Sequence, residues 1–135
     1  MAVLLDTGIL YAYYDRSDAW HARAVKLIRN EVGGLVVPTP VVPEVDHLVG
    51  HRLGHNARLL LYQGLIEGHY FAVDLPRDQY ARVLELNRQF ADLDLGFVDA
   101  AVVSIAESLG LARIATTDRR HLEPMARKFG FELLP

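Results

Sequence analysis

Short apolar runs alternate with longer amphipathic stretches along the chain. Each apolar run is too brief for a helix and is flanked by turn-forming or charged residues, a pattern typical of buried strands. The strands predicted in this way are 3–5, 35–37, 70–73, 112–116 and 131–134. The stretches between them have helical spacing and predict helices at 9–14, 19–32, 41–52, 57–67, 78–90, about 99–109 and 124–129. This alternation predicts an α/β fold, a parallel sheet of four or five strands with helices on both faces.

The stretch from Asp94 to Leu122 places two carboxylates at one end of the predicted sheet. Asp99 lies in the first turn of a helix that ends at Gly110, and Asp118 lies just past the strand 112–116. Ligands of open α/β sheets bind outside the carboxyl ends of the strands. Two carboxylates held close together there need a cation or a proton. The stretch therefore predicts an acidic, metal-dependent site.

Two more acids reach the same predicted edge from distant parts of the chain. Asp6 follows the first strand directly, and Glu44 lies in the first turn of the helix after the second strand. Any one of the four acids could be an ordinary cap or turn residue, so the interpretation depends on all of them sharing one edge. Carboxylates that converge in this way can bind Mg²⁺ or Mn²⁺, which orient and activate water for attack on a phosphate.

Two threonines and two arginines are candidates for supporting roles at this edge. Thr7 and Thr116 are placed to hydrogen-bond the carboxylates and fix their orientation. Arg119 and Arg120 follow Asp118, and either phosphate contact or a solvated loop fits them equally well. The histidines at 47, 51 and 55 recur every four residues, but a polar helix face explains them better than a zinc site.

Composition restricts the class of protein. The 135 residues are 51% hydrophobic and 23% charged, which fits one globular domain with a substantial core. A net charge of −3 argues against a protein that coats nucleic acid nonspecifically, but leaves room for a nuclease with a few local arginines. There is no cysteine, no apolar run long enough to cross a membrane and no basic leader at the N-terminus, so we expect a cytoplasmic protein.

The residues of these motifs also resemble a known family. Four segments, in order and over the whole chain, are similar to the PIN domain and within it to the VapC toxins: LLDTGIL, PTPVVPEVDHLV, GFVDAAVVSIAESLG and ARIATTDRRHL. The resemblance implies one PIN domain over residues 1–135, with the family's acids at Asp6, Glu44, Asp99 and Asp118. It implies metal ligation by Asp6, Asp99 and Asp118, with Thr7 and Thr116 in the supporting positions.

The chain departs from the pattern of several PIN domains just before Asp99. Those domains carry an additional acid there, whereas this chain has Gly96, Phe97 and Val98, and Asp94 is the nearest substitute. The number of metal ions, one or two, therefore stays open.

The function that the resemblance implies is a Mg²⁺- or Mn²⁺-dependent endoribonuclease, the toxin of a type II toxin–antitoxin pair. Its expected partners are a structured RNA substrate (tRNA or rRNA), a VapB-type antitoxin and a second copy in a homodimer. One alternative is phosphoryl transfer through an aspartyl phosphate on Asp6, but such chemistry usually also uses a lysine, and neither Lys26 nor Lys128 is well placed. The other alternative is a noncatalytic module that binds metal or RNA.

Overall fold

Five parallel strands form the centre of the molecule in the computed structural model, which describes residues 2–135. The strands are β1 Val3–Leu5, β2 Leu35–Pro38, β3 Phe71–Val73, β4 Arg113–Ala115 and β5 Glu132–Leu134. Their order across the sheet is β3-β2-β1-β4-β5, with Leu4 of β1 opposite both Val36 and Ile114. The predicted parallel α/β sheet is confirmed, with five strands rather than four.

Seven α-helices connect the strands within residues 2–135. They are α1 Thr7–Tyr14, α2 His21–Asn30, α3 Val42–Leu53, α4 His55–Ile66, α5 Tyr80–Gln89, α6 Gly96–Leu109 and α7 Arg119–Phe129. Helices α1 to α4 pack on one another, and α5, α6 and α7 form a second group. The chain moves across the sheet in one direction from β1 through β2 to β3, and in the opposite direction from β3 to β4 and β5. Because these crossovers are right-handed, the two groups of helices lie on opposite faces of the sheet.

The core is built around β1 and α6. Every residue of β1 is buried, as expected for a central strand that is covered on both faces. Helix α6 is buried from Ala100 to Ala106, and the one polar side chain in that run, Ser104, donates a hydrogen bond to Gln79 Oε1 at 2.8 Å. Gly110 ends α6 with a φ of 67°, a left-handed conformation that favours glycine.

The last helix begins earlier than the sequence predicts. We expected a helix only from Pro124, preceded by a loop, but α7 begins at Arg119 and includes Pro124 in its interior. Asp118 caps its first turn by accepting a hydrogen bond from the His121 backbone N–H. Pro124 has no backbone N–H and so makes no hydrogen bond to the preceding turn, but it lies inside the helix and does not set its start. Arg119 and Arg120 consequently lie on a helix, not in a loop.

The strand order reverses on either side of β1, and this creates the place where a ligand can bind. The connection after β1 leads to one face and the connection after β4 leads to the other, so the two separate at the carboxyl edge of the sheet. Within residues 2–135, no helix combines the length and the apolar character that a bilayer crossing requires.

Candidate metal centre

Asp6 lies directly after β1 and caps α1. Its Oδ1 accepts a hydrogen bond from the Thr7 backbone N–H at 2.8 Å, and its Oδ2 accepts one from Thr116 Oγ1 at 2.9 Å. The residue is 4% exposed, and this burial raises the pKa of its carboxyl group, with the charges of Asp118 and Glu44 adding to the effect. The two hydrogen bonds act in the other direction, because they stabilise the charged form.

Asp99 extends from the first turn of α6 into the same space. Burial is again the largest cause of its raised pKa, which reaches about 7, and the negative charges of Asp6 and Asp118 contribute next. His121 partly offsets them. A carboxylate with this pKa lies among like charges without a matching cation, which is the electrostatic condition that a bound metal ion relieves.

Three hydrogen bonds fix the position of Asp118. Its backbone N–H donates to Thr116 Oγ1 at 2.9 Å, its Oδ1 accepts from the His121 backbone, and its Oδ2 lies 2.7 Å from His121 Nδ1. The same imidazole nitrogen lies 3.5 Å from Asp99 Oδ2. The Asp118 hydrogen bond is the main reason that the pKa of His121 is raised.

Glu44 approaches from the first turn of α3. Its Oε1 accepts a hydrogen bond from Thr7 Oγ1 at 2.6 Å, while the residue as a whole remains exposed to solvent. Its charge raises the pKa of both Asp6 and Asp99, which places it within electrostatic range of the buried acids. Thr7 thus links Glu44 to the loop of Asp6, and Thr116 links Asp6 to Asp118.

Gly8 allows the two loops that carry the acids to approach each other. A Cβ at this position would lie 2.0 Å from Thr117 Oγ1 and 3.2 Å from Thr117 Cβ. A side chain at residue 8 would force Thr117 to move, so glycine lets the first turn of α1 lie close to the loop after β4. The DTG segment therefore supplies a carboxylate, a hydroxyl and the space that they require.

The other sequence-predicted residues have different surroundings. Arg119 donates hydrogen bonds to the carbonyls of Leu133 and Pro135, so its guanidinium is occupied by the C-terminal strand. Arg120 is exposed and near enough to His121 to affect its titration. Asp94 is exposed, and its φ of 51° is in the left-handed region.

His47 and His51 stack on each other on the exposed side of α3, with ring centroids 5.6 Å apart. In the part of the chain that the structure describes, the one group of side chains spaced to hold a metal is Asp99, Asp118 and His121. The zinc interpretation of the histidine row on α3 therefore has no support from its geometry.

His121 is the residue that the sequence analysis missed. The sequence predicts a loop before a helix at 124–129, and a residue in such a loop has no fixed relation to the acids. The spacing of Asp118 and His121 carries the information, because the residue three positions after an N-cap lies beside the side chain of the N-cap. Taking Asp118 as an N-cap would have placed His121 beside its carboxylate.

A divalent cation fits this set of donors. Four carboxylates face one edge of the sheet, and among residues 2–135 the only cationic side chain within salt-bridge distance of any of them is His121. Oxygen and nitrogen atoms of Asp99, Asp118 and His121 lie within 4.8 Å of one another, close enough to be ligands of one ion. Asp6 adds a buried carboxylate whose two oxygens each keep a free lone pair.

Comparison with known proteins identifies the family. The family model for the PIN domain matches residues 3–128. The chain is 30% identical to ribonuclease VapC26 of Mycobacterium tuberculosis over 123 residues, which are 91% of each protein.

Two solved structures share the fold. The structure of M. tuberculosis VapC20, described as a sarcin–ricin loop cleaving toxin, aligns with a TM-score of 0.83 at 19% identity and covers 99% of this chain and 100% of its own. A toxin–antitoxin complex from Klebsiella pneumoniae aligns with a TM-score of 0.70 at 16% identity over 90% of each chain. With its acidic edge, its parallel sheet and these relatives, the chain belongs to the PIN domain family and is related within it to the VapC ribonucleases.

Proposed function

We propose that the protein is a divalent-metal-dependent endoribonuclease and the toxin of a type II toxin–antitoxin pair. The observation that carries the proposal is the gathering of Asp6, Glu44, Asp99 and Asp118 at one edge without a lysine or arginine partner among the described residues. In the metal-free protein the carboxylates of this site repel one another, and a cation that also binds a phosphate would relieve the repulsion. The 30% identity to a ribonuclease supports the same activity.

The chain's own residues have separable roles in this proposal. Asp6, Asp99 and Asp118 hold the cation, and Glu44, at the open side of the site, faces the water or the RNA strand. Thr116 fixes the orientation of Asp6 and the backbone of Asp118, and Thr7 fixes Glu44. When bound, a Mg²⁺ or Mn²⁺ ion would supply Lewis-acid activation of water and charge stabilisation at the phosphate. Hydrolysis would leave a 3′-hydroxyl and a 5′-phosphate.

The substrate and partners follow from the relatives. VapC20 is described as cleaving the sarcin–ricin loop, so we propose a structured RNA, tRNA or rRNA, as the substrate here. The exposed Arg120 is the better candidate for phosphate contact, because Arg119 is bound to the C-terminal carbonyls. We further propose a VapB-type antitoxin, a homodimer and action in the cytoplasm, where the RNA is found; the Klebsiella structure, which is a complex, supports the first of these.

The alternative of an aspartyl-phosphate enzyme has less support. It requires Asp6 as a nucleophile that the substrate phosphorus can reach, whereas Asp6 is only 4% exposed. It also usually requires a lysine at the site, and neither Lys26 nor Lys128 forms an ion pair with a site carboxylate.

The test is cleavage of purified total RNA by the protein in Mg²⁺, in EDTA and as the Asp6→Asn variant. We expect discrete fragments with Mg²⁺ alone and a loss of at least ~100-fold in rate for the variant, because a buried ligand loses its charge. Asp78→Asn, which neutralises an exposed carboxylate outside the site, is the matched control and should cleave normally. Equal cleavage by Asp6→Asn would overturn the proposal, and no cleavage by any form would favour the noncatalytic module.

A further inference from the structure

The position of His121 is more specific than helix capping requires. Asp118 already caps α7 by accepting a hydrogen bond from the His121 backbone N–H at 3.2 Å, and this contact needs no particular side chain at residue 121. The imidazole does more, because its Nδ1 lies 2.7 Å from Asp118 Oδ2 and 3.5 Å from Asp99 Oδ2. Asp99 belongs to a different helix, so the ring joins α7 to the first turn of α6 at the acidic edge.

The three atoms have the spacing of ligands around one ion. With metal–ligand bonds of about 2.1 Å, neighbouring ligands of an octahedral ion lie about 3.0 Å apart and opposite ones about 4.2 Å apart. The nitrogen–oxygen distances of 2.7 and 3.5 Å lie on either side of the first value. All three ligand atoms are within 4.8 Å of one another, and an ion bound between them would replace the proton that Nδ1 shares with Asp118 Oδ2.

We propose that His121 is a nitrogen ligand of the divalent cation held by Asp99 and Asp118, and that it biases the site towards Mn²⁺ over Mg²⁺. Mg²⁺ strongly prefers oxygen ligands, whereas Mn²⁺, as a first-row transition metal, accepts an imidazole nitrogen more readily than Mg²⁺ does, although less strongly than the later metals of the series. Replacing one oxygen of the ligand set with an imidazole nitrogen therefore changes which metal binds best. The inference rests on the proposed function only in using the same site, since metal selectivity can be measured without RNA.

The direct test is pulsed electron paramagnetic resonance of the Mn²⁺-loaded protein. A coordinated imidazole gives a ¹⁴N modulation of the Mn²⁺ signal, which all-oxygen ligation does not. We expect the modulation in the unmodified protein and its disappearance in His121→Asn. The matched control is His47→Asn, which removes an exposed histidine on α3 and should keep the modulation.

Calorimetry gives the second readout. We expect His121→Asn to lose about 10-fold in Mn²⁺ affinity while its Mg²⁺ affinity changes little, because asparagine offers an oxygen in place of the nitrogen. A purely positioning role for His121 would instead lower both affinities by the same factor, which would overturn the proposal. Bound Mn²⁺ without ¹⁴N modulation in the unmodified protein, or no Mn²⁺ binding at all, would overturn it even if the variant fails to fold.

These outcomes are distinguishable from failure of the proposed function. A nuclease whose Mn²⁺ shows only oxygen ligation would keep the function and refute the nitrogen ligand. A protein with the ¹⁴N modulation but without RNA cleavage would refute the function and keep the ligand.

Discussion

Acidic side chains at the amino edge and at the carboxyl edge of the central sheet have pKa values shifted in opposite directions. At the amino edge, Glu31 accepts a hydrogen bond from Arg113 at the start of β4, which lowers the pKa of its carboxyl group. At the far end of α1, Asp15 accepts hydrogen bonds from Tyr11 and Ser17, and its pKa is lowered as well. At the carboxyl edge, by contrast, the pKa values of Asp6 and Asp99 are raised.

The difference separates charges that stabilise the fold from charges that serve a ligand. A carboxylate whose pKa is lowered contributes to stability at neutral pH, whereas a buried one whose pKa is raised costs stability when it is ionised. Asp6 and Asp99 carry this cost at the carboxyl edge. Each lies within three residues of the end of a strand or the start of a helix, where a cation can reach it.

The largest effect is expected from Thr116→Val. The change keeps the side-chain volume but removes the donor to Asp6 Oδ2 and the acceptor of the Asp118 N–H, so two ligands lose their orientation. We expect Mn²⁺ affinity, measured by calorimetry, to fall by roughly 10- to 100-fold. Thr117→Val, with no hydrogen bond to the acids, is the isosteric control and should bind as before. Equal affinities for the two variants would mean that Thr116 does not organise the carboxyl edge.

The second prediction concerns the pH dependence of the metal-free protein. The pKa of Asp99 is about 7 in the folded state and near 3.8 in the unfolded chain, so the folded protein binds more protons between these values. The full shift corresponds to about 4 kcal/mol, and solvent screening of a partly exposed carboxyl group reduces this value. The free energy of unfolding in EDTA should therefore fall as the pH rises from about 4 to about 7, by on the order of 2 kcal/mol. The raised pKa of His121 acts in the same direction, but only above its unfolded-state value of about 6.5.

Urea unfolding of Asp99→Asn measures this contribution. The variant lacks the titrating group, so its stability in EDTA should vary less with pH and should exceed that of the unmodified protein at about pH 7. Identical pH profiles for the two proteins would contradict the electrostatic account of the carboxyl edge.

The smallest effect is expected at the amino edge from Glu31→Gln. The ion pair with Arg113 is partly exposed, with 22% and 17% of the two side chains accessible, so we expect a loss of about 0.5 to 1 kcal/mol in the free energy of unfolding. Because the pKa of Glu31 is lowered, its contribution is present at neutral pH and is lost as the pH falls through the folded-state pKa, the opposite dependence to that of Asp99. RNA cleavage should be unchanged, and a loss of cleavage would mean that the edges are not independent.

The sequence contained enough information for the class of fold and for most element positions. Continuous apolar runs at residues 3–5 and 35–37 are typical of strands in a sheet covered on both faces, and both are strands in the structure. Prediction was weakest where a local signal competes with a tertiary one. Pro124 suggested a helix start, but the start is set by the capping of Asp118.

What the sequence determined by itself was the supply of acids at the ends of strands and the starts of helices. Strand periodicity and helix spacing are local properties, so Asp6, Glu44, Asp99 and Asp118 could be placed at one edge before any contact was known. Only the tertiary structure decided how they meet. The contact between His121 and Asp99 depends on how α7 lies beside α6, and the hydrogen bond from Thr116 to Asp6 joins residues 110 positions apart. Burial, which raises the pKa of Asp6 and Asp99, is likewise a property of the packed molecule and not of any segment.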